Sequence, residues 1–274
     1  MKIDNFLISN KSKPFIIAEV AQAHDGSLGQ AFTFIDAVSS AGADAIKFQT
    51  HLAEYESSKF DKFRPGTFFP QDKTRYDYWE RIEFTKEEWS KLFTHCRNLG
   101  LNIIVSPFSH FAVDICNSLG IKSFKLGSGE TTNAPLIRHT GESASEIILS
   151  TGMSSWNEIS DAHKVAKLVC EKIYILQCTS KYPCSLQEIG VNCIKDIVKR
   201  FDVRSGLSDH SGKLSPSIVA AVEGYTSMIE VHVTHSKESF GPDTKSSLDF
   251  KTMLYLITTF VGSKIVKKYF KVFG

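Results

Sequence analysis

The sequence predicts the α/β class, with parallel strands and helices alternating along almost the whole chain. Eight short apolar runs have the character of buried strands, and segments with helical apolar spacing separate them. Each run after the first follows such a segment, as in a series of crossover units. The length of 274 residues also suits a barrel of eight units, which typically needs about 250 residues. These observations favour a closed (β/α)8 TIM barrel over an open sheet.

The first crossover unit lies near the start of the chain. A short hairpin is predicted over residues 2–15, with its turn at 10–13, and the run FIIAEV at 15–20 is the first buried strand. A loop then leads to a helix over 30–42 that ends at a glycine, and the second strand covers 44–50. This β-loop-α-β order is the unit from which parallel sheets are built.

The same unit recurs to the end of the chain. A helix over 86–100 has Thr85 as its expected N-cap, because threonine hydroxyls accept from the first free backbone N–H groups. The remaining strands are predicted at 101–108, 121–129, 146–152, 172–180, 203–210 and 227–233. The remaining helices are predicted at 111–120, 132–142, 155–170, 186–201, 214–224 and 248–262.

The connection after the second strand, between Thr50 and Thr85, is far longer than the others. It carries many charges and a set of large aromatic residues, Phe60, Phe63, Phe68, Phe69, Tyr76, Tyr78 and Trp79. Long connections in compact domains are usually lids or binding loops, and so many aromatic side chains need cover. We therefore expect a lid or an oligomer contact; an ordered surface segment packed on the barrel is the alternative.

The composition is that of a globular protein. Hydrophobic residues make up 42% and charged residues 23%, and the formal net charge of +2 gives no reason to expect a nucleic-acid partner. No signal peptide is recognisable at the start, and no apolar run approaches the roughly 18 residues of a membrane span. The six cysteines form no C-x-x-C pair, which argues against a structural zinc site. We expect a cytoplasmic protein with reduced cysteines in its core and no membrane partner.

Two histidines follow neighbouring predicted strands. His210 comes after VRSGLSD, and His232 lies in the run SMIEVHV. Parallel barrel strands end on one rim, so the two imidazoles meet there, near the carboxylates of Asp209, Glu230 and Asp243. Imidazole and carboxylate together suit a divalent metal. The alternative is that one or both histidines are ordinary polar residues at strand ends.

Two lysines, Lys47 and Lys125, lie inside predicted strands and point into the barrel mouth. A buried lysine requires a partner, which is either an internal carboxylate such as Glu19 or Glu130, or a bound anion. Hydroxyls at the other strand ends favour the anion, because phosphate binds small donors and closely approaching backbone; they are Ser106, Ser128, Ser150, Ser180 and Ser208. A Schiff-base lysine is the chemical rival.

Nine motifs, in order, carry a family resemblance. They are FIIAEVAQAHDG, AGADAIKFQTH, SPFS, FKLGSGETTNAPLI, ILSTGMSSWNEI, QCTSKYP, GLSDHSG, IEVHVTH and FGPD. Together they cover about residues 14–250 and resemble the sialic acid synthase (N-acetylneuraminate synthase) family. The resemblance implies condensation of phosphoenolpyruvate with an N-acylmannosamine or a related N-acylated hexose, with release of phosphate and formation of a nonulosonic acid.

The resemblance also implies roles for individual residues. Glu19 matches the essential glutamate of the family, and His210 and His232 match the ligands of a divalent cation, which we expect to be Mn²⁺, with Mg²⁺ or Co²⁺ as alternatives. The implied phosphoenolpyruvate-binding residues are Lys47, Ser106, Lys125, Ser128, Ser150, Ser180 and Ser208. The implied sugar-binding residues are Gln49, Tyr182 and Asp243.

Some positions depart from the family pattern. Ala23 stands where the family often has asparagine, Ser106 replaces a threonine and Ser180 replaces an asparagine. The family usually continues into an antifreeze-like C-terminal domain that reaches a partner's active site, whereas this sequence ends at KKYFKVFG. We therefore expect one barrel domain over 1–274 that binds phosphoenolpyruvate, forms a homodimer and turns over slowly. A weakly active or inactive barrel that only binds ligand or partner is the alternative.

Overall fold

Eight parallel strands surround a central core in the computed structural model, which describes residues 2–3, 6–7, 13–63 and 71–270. A two-stranded hairpin, β1 (Lys2–Ile3) and β2 (Phe6–Leu7), precedes them. The barrel strands are β3 (Phe15–Ala21), β4 (Ala45–Thr50), β5 (Asn102–Pro107), β6 (Ser123–Leu126), β7 (Glu146–Ser150), β8 (Ile173–Cys178), β9 (Arg204–Asp209) and β10 (Thr226–Thr234). A short strand, β11 (Leu248–Asp249), pairs with the end of β10.

The barrel is closed, as the strand count predicts. β10 pairs in parallel with β9 on one side and with β3 on the other, in a register that runs from Met228 opposite Phe15 to His232 opposite Glu19. The seam between β9 and β10 is tight at Gly206, where a Cβ atom would lie 1.8 Å from the carbonyl oxygen of Met228. No side chain fits there, so the close approach of the two backbones depends on glycine.

Helices separate the barrel strands and carry clear start and stop signals. The hydroxyl of Thr85 caps its helix by accepting from the N–H of Glu88, and Gly42 ends the first helix with a φ of 79°. The helices are α1 (Leu28–Ala41), α2 (Ala53–Glu56), α3 (Arg75–Ile82), α4 (Lys86–Asn98), α5 (His110–Ser118), α6 (Ala134–Gly141), α7 (Trp156–Lys167), α8 (Cys193–Phe201), α9 (Ser215–Val222) and α10 (Phe250–Phe270). Among the described helices, none has the length and apolar character needed to cross a bilayer.

The core has two layers, which follow from the alternation of side chains along each strand. A large cluster fills the space between the strands and the helices, with Phe34, Trp89 and Phe93 among its members. A smaller cluster fills the lower part of the barrel interior, and its members are Phe15, Ile17, Ala45, Ile104, Ile148, Tyr174, Leu176 and Met228. The interior is therefore apolar towards the N-terminal ends of the strands, which leaves the C-terminal mouth for polar groups.

Two sequence predictions of local structure were wrong. The hairpin predicted over 2–15 is described only in its paired strands, Lys2–Ile3 and Phe6–Leu7, and residues 10–12 of its predicted turn lie outside the described residues. The predicted helix over 186–201 is a 3₁₀ turn at Leu186–Glu188 followed by α8, because Gly190 between them has a φ of 69°. The last helix continues past Gly262 to Phe270, since an interior glycine costs a helix only about 1 kcal/mol.

The long connection, residues 51–84, is called the excursion below. It contains α2 and α3, and its residues Ala53, Tyr78, Trp79 and Ile82 form a small apolar cluster with Phe63 and Tyr76; Phe68 and Phe69 lie outside the described residues. The guanidinium of Arg81 anchors α3 by contacting Asp25 and Asp72, each at 2.9 Å. Because Asp25 follows β3, the excursion is fastened to the C-terminal rim, which is the position a lid requires.

We expect Gly206→Ala to destabilise the protein, because a methyl group there overlaps the backbone of Met228. Overpacking of this kind costs about 1–3 kcal/mol or more. Thermal unfolding of the variant measures the loss. Gly29→Ala is the matched control, since the nearest atom to a Cβ there lies 3.9 Å away and the residue is helical. Equal melting temperatures for the two variants would contradict the proposed tight seam.

Candidate active site

A layer of polar side chains lies across the C-terminal mouth of the barrel, above the apolar interior. Residues two apart on a strand point to the same side, so the inward face of β3 that carries Ile17 next carries Glu19. On β10, Met228 is followed in the same way by Glu230 and His232. The other strands contribute Lys47, Ser106, Lys125 and Ser208, all of them buried.

Two lysines and two glutamates form a buried ion quartet at the centre of this layer. The Nζ atom of Lys47 lies 2.7 Å from Oε2 of Glu19 and 3.6 Å from Oε1 of Glu230. The Nζ atom of Lys125 lies 2.6 Å from the same Oε1 of Glu230. All four side chains are at least 95% buried. With two charges of each sign the quartet is neutral, which is how a protein tolerates buried ions.

The two glutamates of the quartet differ in proton affinity. Burial raises the pKa of Glu19, and the ion pair with Lys47 only partly opposes this shift. Burial acts in the same direction on Glu230, but Lys125 and Lys47 together outweigh it and lower the pKa. Glu230 therefore stays ionised as the partner of the lysines, whereas Glu19 is the carboxyl group suited to taking up a proton.

The lysines have internal carboxylate partners in this structure. The sequence left Glu19 and Glu130 as the options, but the structure pairs Lys47 with Glu19 and Lys125 with Glu230. Glu130 instead accepts a hydrogen bond from the side chain of Asn133. Burial lowers the pKa of Lys47, but Glu19 and Glu230 more than compensate and leave the pKa raised, so this amine stays cationic.

Serine hydroxyls line the quartet. Ser106 accepts a hydrogen bond from Lys47 at 3.1 Å, and Ser208 accepts one from Lys125 at 3.0 Å. Ser208 is also 3.2 Å from Glu230, to which its hydroxyl donates. Each lysine therefore has one hydroxyl and at least one carboxylate as neighbours, and a small anion entering the mouth meets lysines and hydroxyls together.

A second group of hydroxyls converges on Gly152. A Cβ atom at this glycine would lie 2.3 Å from Oγ of Ser180 and 2.5 Å from Oγ of Ser128. Ser150 is buried at the end of β7, and its carbonyl accepts from Thr131 at 2.6 Å. The absent side chain leaves a small cradle between two hydroxyls, which is the geometry that backbone and side-chain donors need to approach a phosphate.

The two predicted metal ligands lie side by side. The ring centroids of His210 and His232 are 5.1 Å apart, and Tyr182 stacks on His210 at 4.1 Å. The Nδ1 atom of His210 donates to the carbonyl of Thr179 at 2.9 Å, which leaves Nε2 beside the hydroxyl of Tyr182 at 3.1 Å. Fixing one imidazole nitrogen by a carbonyl is the usual way of presenting the other to a metal.

His232 also has the properties of a metal ligand. Burial, followed by His210 and the two lysines, holds the pKa of His232 well below its usual value, so the ring is neutral. Its Nδ1 atom is buried, finds no hydrogen-bond partner among the described residues, and lies 3.5 Å from Oδ2 of Asp243. A neutral, unpartnered imidazole nitrogen beside a carboxylate fits a divalent cation.

The other two carboxylates expected near the histidines are engaged elsewhere. Asp209 accepts from the backbone N–H and the hydroxyl of Ser211, at 3.0 and 2.8 Å, and Glu230 belongs to the quartet. In the described parts of the chain, no three histidine, cysteine or acidic side chains come together as a ready-made metal cluster. The protein thus offers two imidazoles, and other ligands would complete the coordination of an ion.

Comparisons with known proteins identify the family of this chain. A model of the NeuB family matches residues 34–267. The chain belongs to the NeuB family. The N,N'-diacetyllegionaminic acid synthase of Legionella pneumophila is 31% identical over 264 residues, covering 92% of this chain and 72% of that protein. The pseudaminic acid synthase of Campylobacter jejuni is 33% identical over 258 residues, covering 91% and 73%.

A solved structure of a sialic acid synthetase has the same fold. The N-acetylneuraminic acid (sialic acid) synthetase of Leptospira borgpetersenii, crystallised with citrate, matches with a TM-score of 0.85 at 26% identity. The match covers 97% of this chain and 89% of that chain. The predicted resemblance to sialic acid synthases and the predicted TIM barrel are both confirmed.

Two features of this NeuB-family site were not found from the sequence. Glu230 was assigned to the metal rather than to the lysines, although its position two residues before His232 shows that it faces inward. Cys178 was expected in the core, but its thiol lies 3.3 Å from Oγ of Ser128 and 3.9 Å from Nδ1 of His210. Burial opposes ionisation of this thiol, but His210 and Lys125 prevail and lower its pKa to about 7.

We expect Glu230→Gln to cost about 3–5 kcal/mol of unfolding free energy, because it leaves a buried lysine without its charged partner. Urea unfolding measures the loss. The folded-state pKa of Glu230 lies below its usual 4.5, so the loss is complete above pH 4.5 and shrinks as the pH falls through the lowered value. Asp161→Asn, in an exposed pair with Lys164, is the control and should change nothing measurable. A Glu230→Gln protein as stable as wild type would contradict the role of the quartet.

Proposed function

We propose that this chain condenses phosphoenolpyruvate with an N-acylmannosamine or a related N-acylated hexose, releasing phosphate and forming a nonulosonic acid. The observation that carries the proposal is the ion quartet, in which two buried lysines with serine neighbours lie beside a carboxyl group of raised pKa. Membership of the NeuB family supports it, since relatives are synthases of sialic, legionaminic and pseudaminic acids.

The phosphoenolpyruvate half of the proposed site lies on the strands. Lys47 and Lys125 would bind the carboxylate and phosphate of the ligand as point charges, helped by Ser106 and Ser208. Ser128, Ser150 and Ser180 would hold the remaining phosphate oxygens around the cradle at Gly152. A polyanion adds negative charge to a neutral quartet, and a proton on Glu19 offsets part of that charge.

The sugar half of the proposed site comes mainly from loops. Tyr182, Asp243 and Gln49 would contact the hexose, in agreement with the family pattern. The excursion reaches the same place, since its Tyr78 lies near the carboxylate of Asp243. Burial and then this carboxylate raise the pKa of Tyr78. A hexose bound here would lie between the strands that carry the quartet and the excursion.

In the proposed reaction, the enol carbon of phosphoenolpyruvate attacks the aldehyde carbon of the hexose, and the aldehyde oxygen takes the proton carried by Glu19 and becomes a hydroxyl. Water then adds to the oxocarbenium carbon and returns a proton to Glu19. The C–O bond to phosphate breaks, the proton of the hydroxyl derived from water leaves with the phosphate, and the keto group forms. Lys47 and Lys125 hold the enol carbon against the aldehyde throughout, which lowers the entropic barrier.

His210 and His232 would hold a divalent cation, for which we propose Mn²⁺ with Mg²⁺ or Co²⁺ as alternatives. When bound, such an ion supplies Lewis-acid polarisation of the aldehyde oxygen. Tyr182 keeps His210 in place by stacking, and Thr179 fixes its tautomer.

Glu19→Gln should keep phosphoenolpyruvate binding and lower turnover about a hundredfold to ten-thousandfold, because it removes a positioned acid–base group. The assay is phosphate release across a panel of N-acylated hexoses, with phosphoenolpyruvate affinity measured separately. Glu158→Gln is the control, since that carboxylate caps α7 on the surface. Phosphate release by the Glu19→Gln protein at the wild-type rate would exclude this role.

Borohydride trapping of a substrate on Lys125 would instead favour a Schiff-base aldolase.

His210→Ala and His232→Ala should each abolish stoichiometric binding of Mn²⁺, because each removes one of two neighbouring imidazoles. Electron paramagnetic resonance of added Mn²⁺ measures free and bound ion without reference to activity. His139→Ala is the control, since that ring lies on the surface against Asp114. Unchanged stoichiometry in both site variants would show that the metal, if bound, is held elsewhere.

A further inference from the structure

His51, the first residue of the excursion, is a buried imidazole clamped between two aromatic rings. Trp79 from α3 stacks on one face with a centroid distance of 3.8 Å and an interplanar angle of 8°. Phe108, which follows β5, stacks on the other face at 4.2 Å and 15°. Such a ring cannot swing, so the directions of its two nitrogens are set by the fold.

Both nitrogens of His51 are used. Nδ1 lies 2.9 and 3.0 Å from the two carboxylate oxygens of Glu56, which can only accept, so Nδ1 carries the hydrogen. Nε2 lies 2.9 Å from Oε1 of Gln49 and 3.1 Å from Nε2 of Gln22. Charged or neutral, this nitrogen bonds to one of the two glutamine amides, donating to Gln49 or accepting from Gln22.

The amide of Gln49 connects this histidine to Glu19. Its Nε2 donates to Oε1 of Glu19 at 2.6 Å, and its Oε1 accepts from Gln22 at 2.6 Å. If the Gln49 amide were flipped, its oxygen would face the Glu19 carboxylate and its NH₂ group would face the NH₂ group of Gln22. Both contacts would be repulsive. The Gln49 amide therefore has one favourable orientation, with its oxygen towards His51 and Gln22 and its nitrogen on the proposed acid–base group.

We propose that His51 is a positioning residue, which together with Glu56 fixes the Gln49 amide and thereby holds the Glu19 carboxylate in place. The inference rests on the proposed role of Glu19 in the condensation. Because Trp79 belongs to the excursion, seating α3 on the rim completes the clamp around His51. The excursion thus influences the position of Glu19 in two ways. Trp79 holds the ring of His51, and hydrogen-bonding contacts run from Glu56 through His51 and Gln49 to Glu19.

Two substitutions separate hydrogen bonding from packing. His51→Phe keeps a ring between Trp79 and Phe108 but has no nitrogen, whereas His51→Gln keeps a polar group but loses the ring. A positioning role predicts that kcat falls in the order wild type, Gln, Phe, with the Phe variant lowered about tenfold to a hundredfold. The KM for phosphoenolpyruvate should change less than about twofold, because its proposed contacts lie on other side chains. Purely structural packing predicts the opposite order, with Phe the better substitute.

The matched control is His95→Phe. His95 also contacts a carboxylate, Asp36, at 2.6 Å and an aromatic ring, Phe32, at 5.2 Å, but on the surface. The His95→Phe substitution should leave kcat unchanged. A His51→Phe protein with wild-type kcat, or one that outperforms His51→Gln, would overturn the inference.

A second readout does not depend on turnover. The side-chain amide resonances of Gln49, identified by their loss in Gln49→Met, should shift and exchange faster with solvent in His51→Phe but not in His95→Phe. If wild type releases no phosphate with any hexose, the proposed function fails, and these resonances alone decide whether His51 positions Gln49. Unchanged Gln49 resonances in His51→Phe would overturn the inference even in an active enzyme.

Discussion

The neutral ion quartet at the mouth of the barrel is the constraint on which the site depends. Two lysines and two glutamates are buried where the strands converge, and each of the four lies within ion-pairing distance of at least one group of opposite charge. Four different strands, β3, β4, β6 and β10, supply them. Closure of the barrel places β10, which carries Glu230, next to β3, which carries Glu19. The charge balance of the quartet therefore depends on closure.

The quartet also explains why two chemically identical carboxyl groups behave differently. Glu230 lies between both lysines, and its charge is thereby stabilised, whereas Glu19 has one lysine and an amide as neighbours. The same burial thus leaves one glutamate as a fixed counter-ion and the other as a proton acceptor. A pair of acids with divergent proton affinities is a common arrangement in active sites.

The strand-borne part of this arrangement could be predicted from the sequence, and the rest could not. Glu19, Lys47 and Lys125 are conspicuous because a charged residue inside an apolar run must face a polar mouth or a partner. Which carboxylate pairs with which lysine depends on distances across the barrel, and Glu230 was therefore misplaced. Likewise, the seating of the excursion depends on the contacts of Arg81 with Asp25 and Asp72, and no local pattern links these residues. The predicted continuous helix over 186–201 was wrong for a local reason. Gly190 has a positive φ, which ends a helix that apolar spacing alone would continue.

The proposed site is divided between two kinds of backbone. Lys47, Lys125 and Glu230 lie on paired strands, where a one-residue slip would turn every side chain to the other face. Tyr182, Asp243 and the excursion lie on connections, which tolerate substitution and changes in length. Mutations in the connections can therefore accumulate while the quartet stays intact. In descendants of such a barrel, the acceptor half of the pocket can diversify over evolutionary time while the anion-binding half is retained.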